Sequence, residues 1–206
     1  MAKSKENFYV LRRPAAKRGN RPIAIDLFCG AGGITLGLSN AGFDVRLCSD
    51  INVACAKTHQ RNFPHIPFLH GDISGLTSQR IAKAAGVRRG ELDLLIGGPP
   101  CQGFSILGQR KFNDPRNQLF LEFLRVAKDL RPKAVIIENV PGLATLEKGA
   151  VLRDIAAAFD DAGYTIDAAE LVAAQYGVPQ LRWRMMFVGW RKDLGRRGGF
   201  PAPTHG

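Results

Sequence analysis

Four side chains in this 206-residue sequence could share one piece of chemistry: the thiol of Cys101, the carboxylate of Glu138, and the guanidinium groups of Arg182 and Arg184. A thiolate is a strong nucleophile and a tolerable leaving group, a carboxyl group beside it can trade a proton, and a guanidinium fork holds a carbonyl or carboxylate oxygen. A cysteine alone is more often a small buried hydrophobe than a nucleophile, so its setting decides. Cys101 lies in Gly97-Gly98-Pro99-Pro100-Cys101-Gln102-Gly103-Phe104-Ser105, after the apolar residues Leu92, Leu94, Leu95 and Ile96. These read as a buried strand halted by two glycines. Two prolines with fixed φ and no N–H then stiffen the chain where the thiol is presented.

The other groups arrive on similar elements. Residues 134–137, Ala-Val-Ile-Ile, read as a second buried strand that delivers Glu138, with Asn139, Val140, Pro141 and Gly142 behind it. Ligands of open α/β sheets bind beyond the carboxyl ends of the strands, so Cys101 and Glu138 are expected to face one crevice. Arg182 and Arg184 stand two apart in the extended segment 175–184, which points both to one side. Strand patterns at 23–28, 45–49, 68–73, 164–172 and 185–190 alternate with helical patterns at 34–41, 53–62, 78–85, 117–130 and 150–162, with Asn117 as a candidate cap. The alternation predicts an α/β fold, a doubly wound and mostly parallel sheet of Rossmann-like type, with the last two strands antiparallel.

The turn Cys29-Gly30-Ala31-Gly32-Gly33 follows the first strand. Its glycines let the backbone approach a ligand at a helix start. It lacks the lysine of a P-loop, which argues against ATP hydrolysis, and falls short of the dinucleotide fingerprint. Asp50, at the second strand tip, stands where an acid commonly accepts ribose hydroxyls, and Asp72 at the third could accept from an adenine amino group. Asp26 and Asp50 are equally readable as turn caps, and Phe28 as core. His59, His65, His70 and His205 lack metal-ligand spacing and read as surface or loop residues; Cys29, Cys48, Cys55 and Cys101 contain no Cys-x-x-Cys pair. Neither metal nor disulfide is expected.

Length and a 45% hydrophobic content suit one α/β domain with a sizeable core. No apolar run is long enough to span a bilayer, and Met1-Ala2-Lys3-Ser4-Lys5 is not followed by the core of a secretory signal, so the expected location is the cytoplasm. The net charge of +11 is carried by the ends: residues 1–21 hold seven Lys/Arg and one acid, residues 182–206 hold six and one, and the stretch between is neutral. The basic start, residues 1–21, is either a solvated tail or an arm that touches phosphates. Residues 22–190 form the expected catalytic domain, and 191–206 a basic tail rich in glycine and proline.

Taken in order, Asp26-Leu27-Phe28-Cys29-Gly30-Ala31-Gly32-Gly33, Pro99-Pro100-Cys101-Gln102, Glu138-Asn139-Val140 and Gln180-Leu181-Arg182-Trp183-Arg184 resemble the ordered motifs of DNA (cytosine-5)-methyltransferases, from about Pro22 to His205. The resemblance implies S-adenosylmethionine as cofactor, with Phe28 and Ile51 against the adenine, Asp50 on the ribose, Asp72 and Ile73 at the adenine edge, and Gly30, Gly32, Pro100 and Leu119 lining the rest. Many members carry Glu at the position of Asp50, so the shorter side chain shifts that contact. The implied substrate is a cytosine rotated out of double-stranded DNA. Cys101 would add to carbon 6, Glu138 would donate to ring nitrogen 3, and Arg182 and Arg184 would bind the carbonyl oxygen and orient the base or Glu138. Gln180 would support this cluster and Ser105 would contact phosphate, while Arg110 and Lys111 lie in a segment, 103–116, that is the candidate flap over the base.

Two alternatives share these motifs. An RNA methyltransferase of the tRNA-modifying branch usually departs from the Gly-Phe-Ser that follows Cys-Gln here, and a non-catalytic DNA-binding or regulatory subunit would have no need of intact Cys101, Glu138 and Arg184. Family members normally continue from a similar Phe-Pro-x-Pro-Thr-His into a target-recognition domain and a closing helix. The expectation is therefore the catalytic half of a split or truncated enzyme, poorly active alone, with a second chain that supplies recognition and covers an apolar face.

Overall fold

The computed structural model describes residues 21–100, 118–145 and 149–206. Strands β1 (Ile23–Leu27), β2 (Asp44–Asp50), β3 (Phe68–His70), β4 (Leu94–Gly97), β5 (Ala134–Asn139), β6 (Tyr164–Val172) and β7 (Trp183–Arg191) form one sheet in the order β3-β2-β1-β4-β5-β7-β6. The first five are parallel, and β7 runs antiparallel to both β5 and β6. Helices α1 (Gly33–Asn40), α2 (Val53–Asn62), α3 (Ser78–Ala85), α4 (Gln118–Leu130), α5 (Gly142–Thr145) and α6 (Ala150–Asp161) fill the connections. The doubly wound, mostly parallel sheet expected from the sequence is the observed one. The third strand is shorter than expected: it stops at His70 because Gly71 takes φ 145° and Asp72 caps a single 3-10 turn, Ile73–Gly75.

Period-two alternation sorts side chains between the faces. Ile25 and Leu27 of β1 join a large core with Ile81 of α3, Phe120 and Phe123 of α4, and Phe159 of α6. Ala24 falls into a second cluster with Leu38 of α1, Cys29 and Cys48. Local signals fix the helix ends: Asn52 accepts from Ala54 N and Cys55 N at 2.9 and 3.1 Å, Thr77 accepts from Arg80 N, and Gly86 closes α3 at φ 62°.

The second face is thinner over β5 and β7. Ile136, Met186, Val188 and Trp190 are only half-buried there. The tail crosses this region, with the Arg196 guanidinium 5.6 Å from the Trp190 ring centroid and Gly198 packed on Val188. It is tied further on by Tyr176, whose hydroxyl donates to Pro201 O, and by Thr204 N and His205 N, which both donate to Gln175 O. No helix among the described residues is long and apolar enough to cross a membrane.

Candidate active site

The carboxyl ends of β4 and β5 and the start of β7 meet at one edge of the sheet. Leu94–Gly97 pairs in register with residues 134–137, so the next residue of each strand, Gly98 and Glu138, are neighbours. A Cβ added to Gly98 would lie 3.1 Å from Glu138 Oε2. β7 returns along β5 and brings Arg184 to the same carboxylate, where its Nε donates to Oε1 at 2.5 Å. Arg182, in the loop before β7, reaches the same oxygen at 3.5 Å. Arg182 is 47% exposed against 25% for Arg184, so the second pair is the better sheltered from solvent. These residues, with Pro99, Pro100, Asn139 and Val140, line a cleft of about 300 Å³.

Asn139 was not singled out by its type, yet it is the tie between β5 and the Pro-Pro turn. It is buried, its Nδ2 donates to Pro99 O at 3.1 Å, and its Oδ1 accepts from Val140 N at 2.8 Å. Two successive prolines have no N–H to offer, so a neighbouring amide must hold the turn through its carbonyl. A polar residue closing an apolar strand beside such a turn was the available signal. Cys101, Ser105, Arg110 and Lys111 lie outside the described residues, as do Asn117, the 103–116 segment and arm residues 1–20. Pro100, to which Cys101 is bonded, is exposed on the cleft wall. Gln180 is exposed on the loop carrying Arg182, outside the cleft lining; that loop is held by Gln180 N to Val178 O and Ala173 N to Arg182 O.

On the other side of β1 the groups are mostly backbone. Phe28 takes φ 57°, a left-handed conformation unusual for a bulky residue, and turns the chain into Gly30 (φ 54°) and Gly32 (φ 101°). Asp50 joins two strand tips: Oδ2 accepts from Gly30 N at 2.9 Å and Oδ1 from Asn52 N at 2.8 Å. Asp72 is exposed, with Oδ1 accepting from Ser74 N. The Ile73 side chain is buried in the main core, which leaves only its backbone for a ligand. Leu119 is half-buried against that core, and Ile51 is 64% exposed at the tip of β2.

A family profile for C-5 cytosine-specific DNA methylases matches residues 23–204. The chain belongs to this family. It is 42% identical to the type II methyltransferase M.AquIA of Picosynechococcus over 88% of its own length and 76% of that protein's. With M1.HphI of Haemophilus parahaemolyticus it shares 44% identity over 88% of the chain but 48% of the relative, and with M.XorII of Xanthomonas oryzae 41% over 89% and 44%. Apart from M.AquIA, then, it spans about half the length of these curated relatives. Among solved structures, a protein assigned as a prophage-encoded DNA modification methyltransferase of E. coli superposes with a TM-score of 0.72 at 37% identity, covering 86% of this chain and 49% of that one.

Methylases of this family use S-adenosylmethionine, and the crevice fits it. The space around the Gly30 Cα is open, and an exposed apolar Ile51 sits beside the Asp50 carboxylate. A ribose-bearing, flat-ringed ligand asks for an open turn, an acid and an apolar wall.

The structure corrects one reading outright. His59 is not a surface or loop residue: it is fully buried on α2, between the rings of Phe63 and Phe68 at 4.9 and 5.0 Å. It faces a polar cluster behind the glycine turn. Thr35 Oγ1 donates to Asp26 Oδ2 at 2.7 Å and lies 3.3 Å from His59 Nε2 and 3.4 Å from Cys48 Sγ. Burial first, then the nearby Cys48, pushes the Asp26 carboxyl well above the usual range. The neighbouring Cys48 thiol, then burial, pushes the Cys29 thiol up, and the closeness of Cys29 is the first cause lowering Cys48 to about 6; Cys29 Sγ itself donates to Gly30 O at 3.6 Å.

Proposed function

We propose that this chain carries the cofactor-binding and base-activating parts of a methylation at carbon 5 of cytosine in DNA, with Cys101 as the nucleophile. The observation that supports it most is the Glu138 carboxylate held by two arginines on the wall formed by Pro99 and Pro100, directly before Cys101.

Carbon 5 of cytosine is too poor a nucleophile to take a methyl group unaided. In this reading the Cys101 thiolate adds to carbon 6, breaking the 5,6 double bond and making carbon 5 electron-rich. Glu138 directs Oε2 toward the turn, away from the oxygen shared by Arg182 and Arg184, and can share a proton with ring nitrogen 3 as charge builds there. The guanidinium groups steady Glu138 and can take the carbonyl oxygen of the base. S-adenosylmethionine, when bound, supplies an electrophilic methyl group, held by Asp50, Ile51, Asp72, the backbone of Ile73 and the glycine turn with Phe28, Pro100 and Leu119. Loss of the carbon 5 proton and expulsion of Cys101 restore the ring. The target is a flipped base of double-stranded DNA, approached by Ser105, Arg110, Lys111 and Gln180.

Target readout and a cover for the Ile136–Trp190 face we assign to further polypeptide, in the same chain or a second one. Support comes from the half-buried row Ile136, Met186, Val188 and Trp190, and from the share of M.XorII and M1.HphI that the chain leaves unmatched. Duplex DNA containing 5-fluorocytosine tests the reaction, because fluorine cannot leave as a proton does and the adduct is trapped. A cofactor-dependent, denaturation-resistant complex through residue 101 is expected; turnover by Cys101→Ser would exclude this route, and methylation of tRNA in place of duplex DNA would transfer the reading to RNA.

A further inference from the structure

Behind the glycine turn, three metal-ligating side chains arrive from three elements: Cys29 from the turn after β1, Cys48 from β2 and His59 from α2. All are buried, and one ligand atom of each lies within 4.8 Å of the other two. In this neighbourhood His59 Nδ1 and Asp26 Oδ1 are buried without a hydrogen-bond partner, although nearly all buried polar atoms in folded proteins have one. We propose that Cys29, Cys48 and His59 form a binding site for a single zinc ion, separate from the methylation cleft.

The donor set selects the ion. Two sulfurs and an imidazole favour zinc over calcium or magnesium, which take oxygen ligands. Zinc bonds of roughly 2.3 Å to sulfur and 2.0 Å to nitrogen place such donors roughly 3.5 Å apart. A group already within 4.8 Å therefore reaches that spacing by small side-chain rotations about Cys48, which the sheet holds in register with β1. The site has a structural consequence. A Cβ on Gly32 would meet Phe63 at 2.6 Å and His59 at 3.1 Å, so His59 packs directly under the turn. An ion shared by Cys29 and His59 would pin that turn to α2 and β2.

The test uses the whole protein, refolded from denaturant with or without zinc, since the ligands are buried, and dialysed under reducing conditions. About one retained zinc per chain is expected, and zinc at 100 times its dissociation constant should raise the unfolding midpoint by roughly 5–10 °C. Cobalt in place of zinc should give thiolate-to-metal charge-transfer absorption, a reading on the unmutated protein that depends on no variant folding. Cys48→Ser and His59→Phe should lose the ion, the latter replacing one ring among aromatic neighbours with another; Cys55→Ser and Cys101→Ser should keep it. Absence of stoichiometric zinc in the unmutated protein, retention by Cys48→Ser, or a Cys29–Cys48 disulfide formed in the presence of zinc would each overturn the site. None of these readings depends on methyl transfer, so they stand apart from the test of the methylase activity.

Discussion

The crevice has a side made of backbone and a side made of side chains. Around β1 and β2 the wall is a backbone turn with open space at Gly30, whose N–H is taken by Asp50 as that carboxylate holds the strand tips together. Around β4, β5 and β7 the ligand-facing groups are the carboxylate of Glu138 and the guanidinium groups of Arg182 and Arg184, on the wall that Pro99 and Pro100 complete. Binding a large cofactor needs shape and many modest contacts, which a turn supplies. Activating one ring needs a few groups of defined charge, which only side chains supply. Substitutions on the two sides should therefore fail differently.

The largest contrast is expected at Cys101→Ser. In an assembly competent for turnover, the rate should fall by about 10⁴-fold or more, while cofactor affinity measured by calorimetry stays within about twofold, because in the proposed mechanism the thiol acts on the base alone. A matching loss of cofactor affinity would erase the division between the sides. Glu138→Gln should come next, lowering kcat by roughly 10²- to 10⁴-fold with little change in cofactor binding. If kcat stays within a factor of about three, the carboxyl group has no proton to share.

Gly32→Ala should show the opposite signature. Its methyl would stand 2.6 Å from the Phe63 ring at a φ of 101°, so the turn must shift. Cofactor affinity should drop and the fold lose about 1–3 kcal/mol, read by chemical denaturation, while the residual bound complex turns over normally. Asp50→Asn is the mildest: one of two accepted hydrogen bonds is lost, and cofactor affinity should fall by about tenfold. An unchanged dissociation constant would leave Asp50 a turn brace and nothing more.

Much of this was legible in the residues themselves. Leu94 to Gly97 and Ala134 to Ile137 announce buried strands by composition alone, and the helical patterns at 53–62 and 78–85 coincide with α2 and α3. Where reading failed, contact across the fold decided. His59 looks like any polar helix residue until α2 turns it under Gly32, and the Cys29, Cys48 and His59 group has no fixed spacing because its members come from three elements. Ile73 follows a strand tip in sequence, but the 3-10 turn swings its side chain into the core. Asn139 needed the knowledge that Pro99 O faces it from β4's extension.

The insertion of β7 between β5 and β6 bears on how the protein is made. β5 is the last parallel strand, and its outer edge acquires a partner only when residues 183–191 exist. At about 5–20 residues per second, a ribosome leaves that edge open for a few seconds after Asn139 is added. Through that interval the nascent sheet carries an unpaired edge able to recruit another strand. Glu138 likewise waits without Arg184, so the carboxylate gains its charge partner only once β7 has begun. Slowing translation between residues 139 and 183 should thus raise aggregation of this chain, read as the insoluble fraction at matched expression.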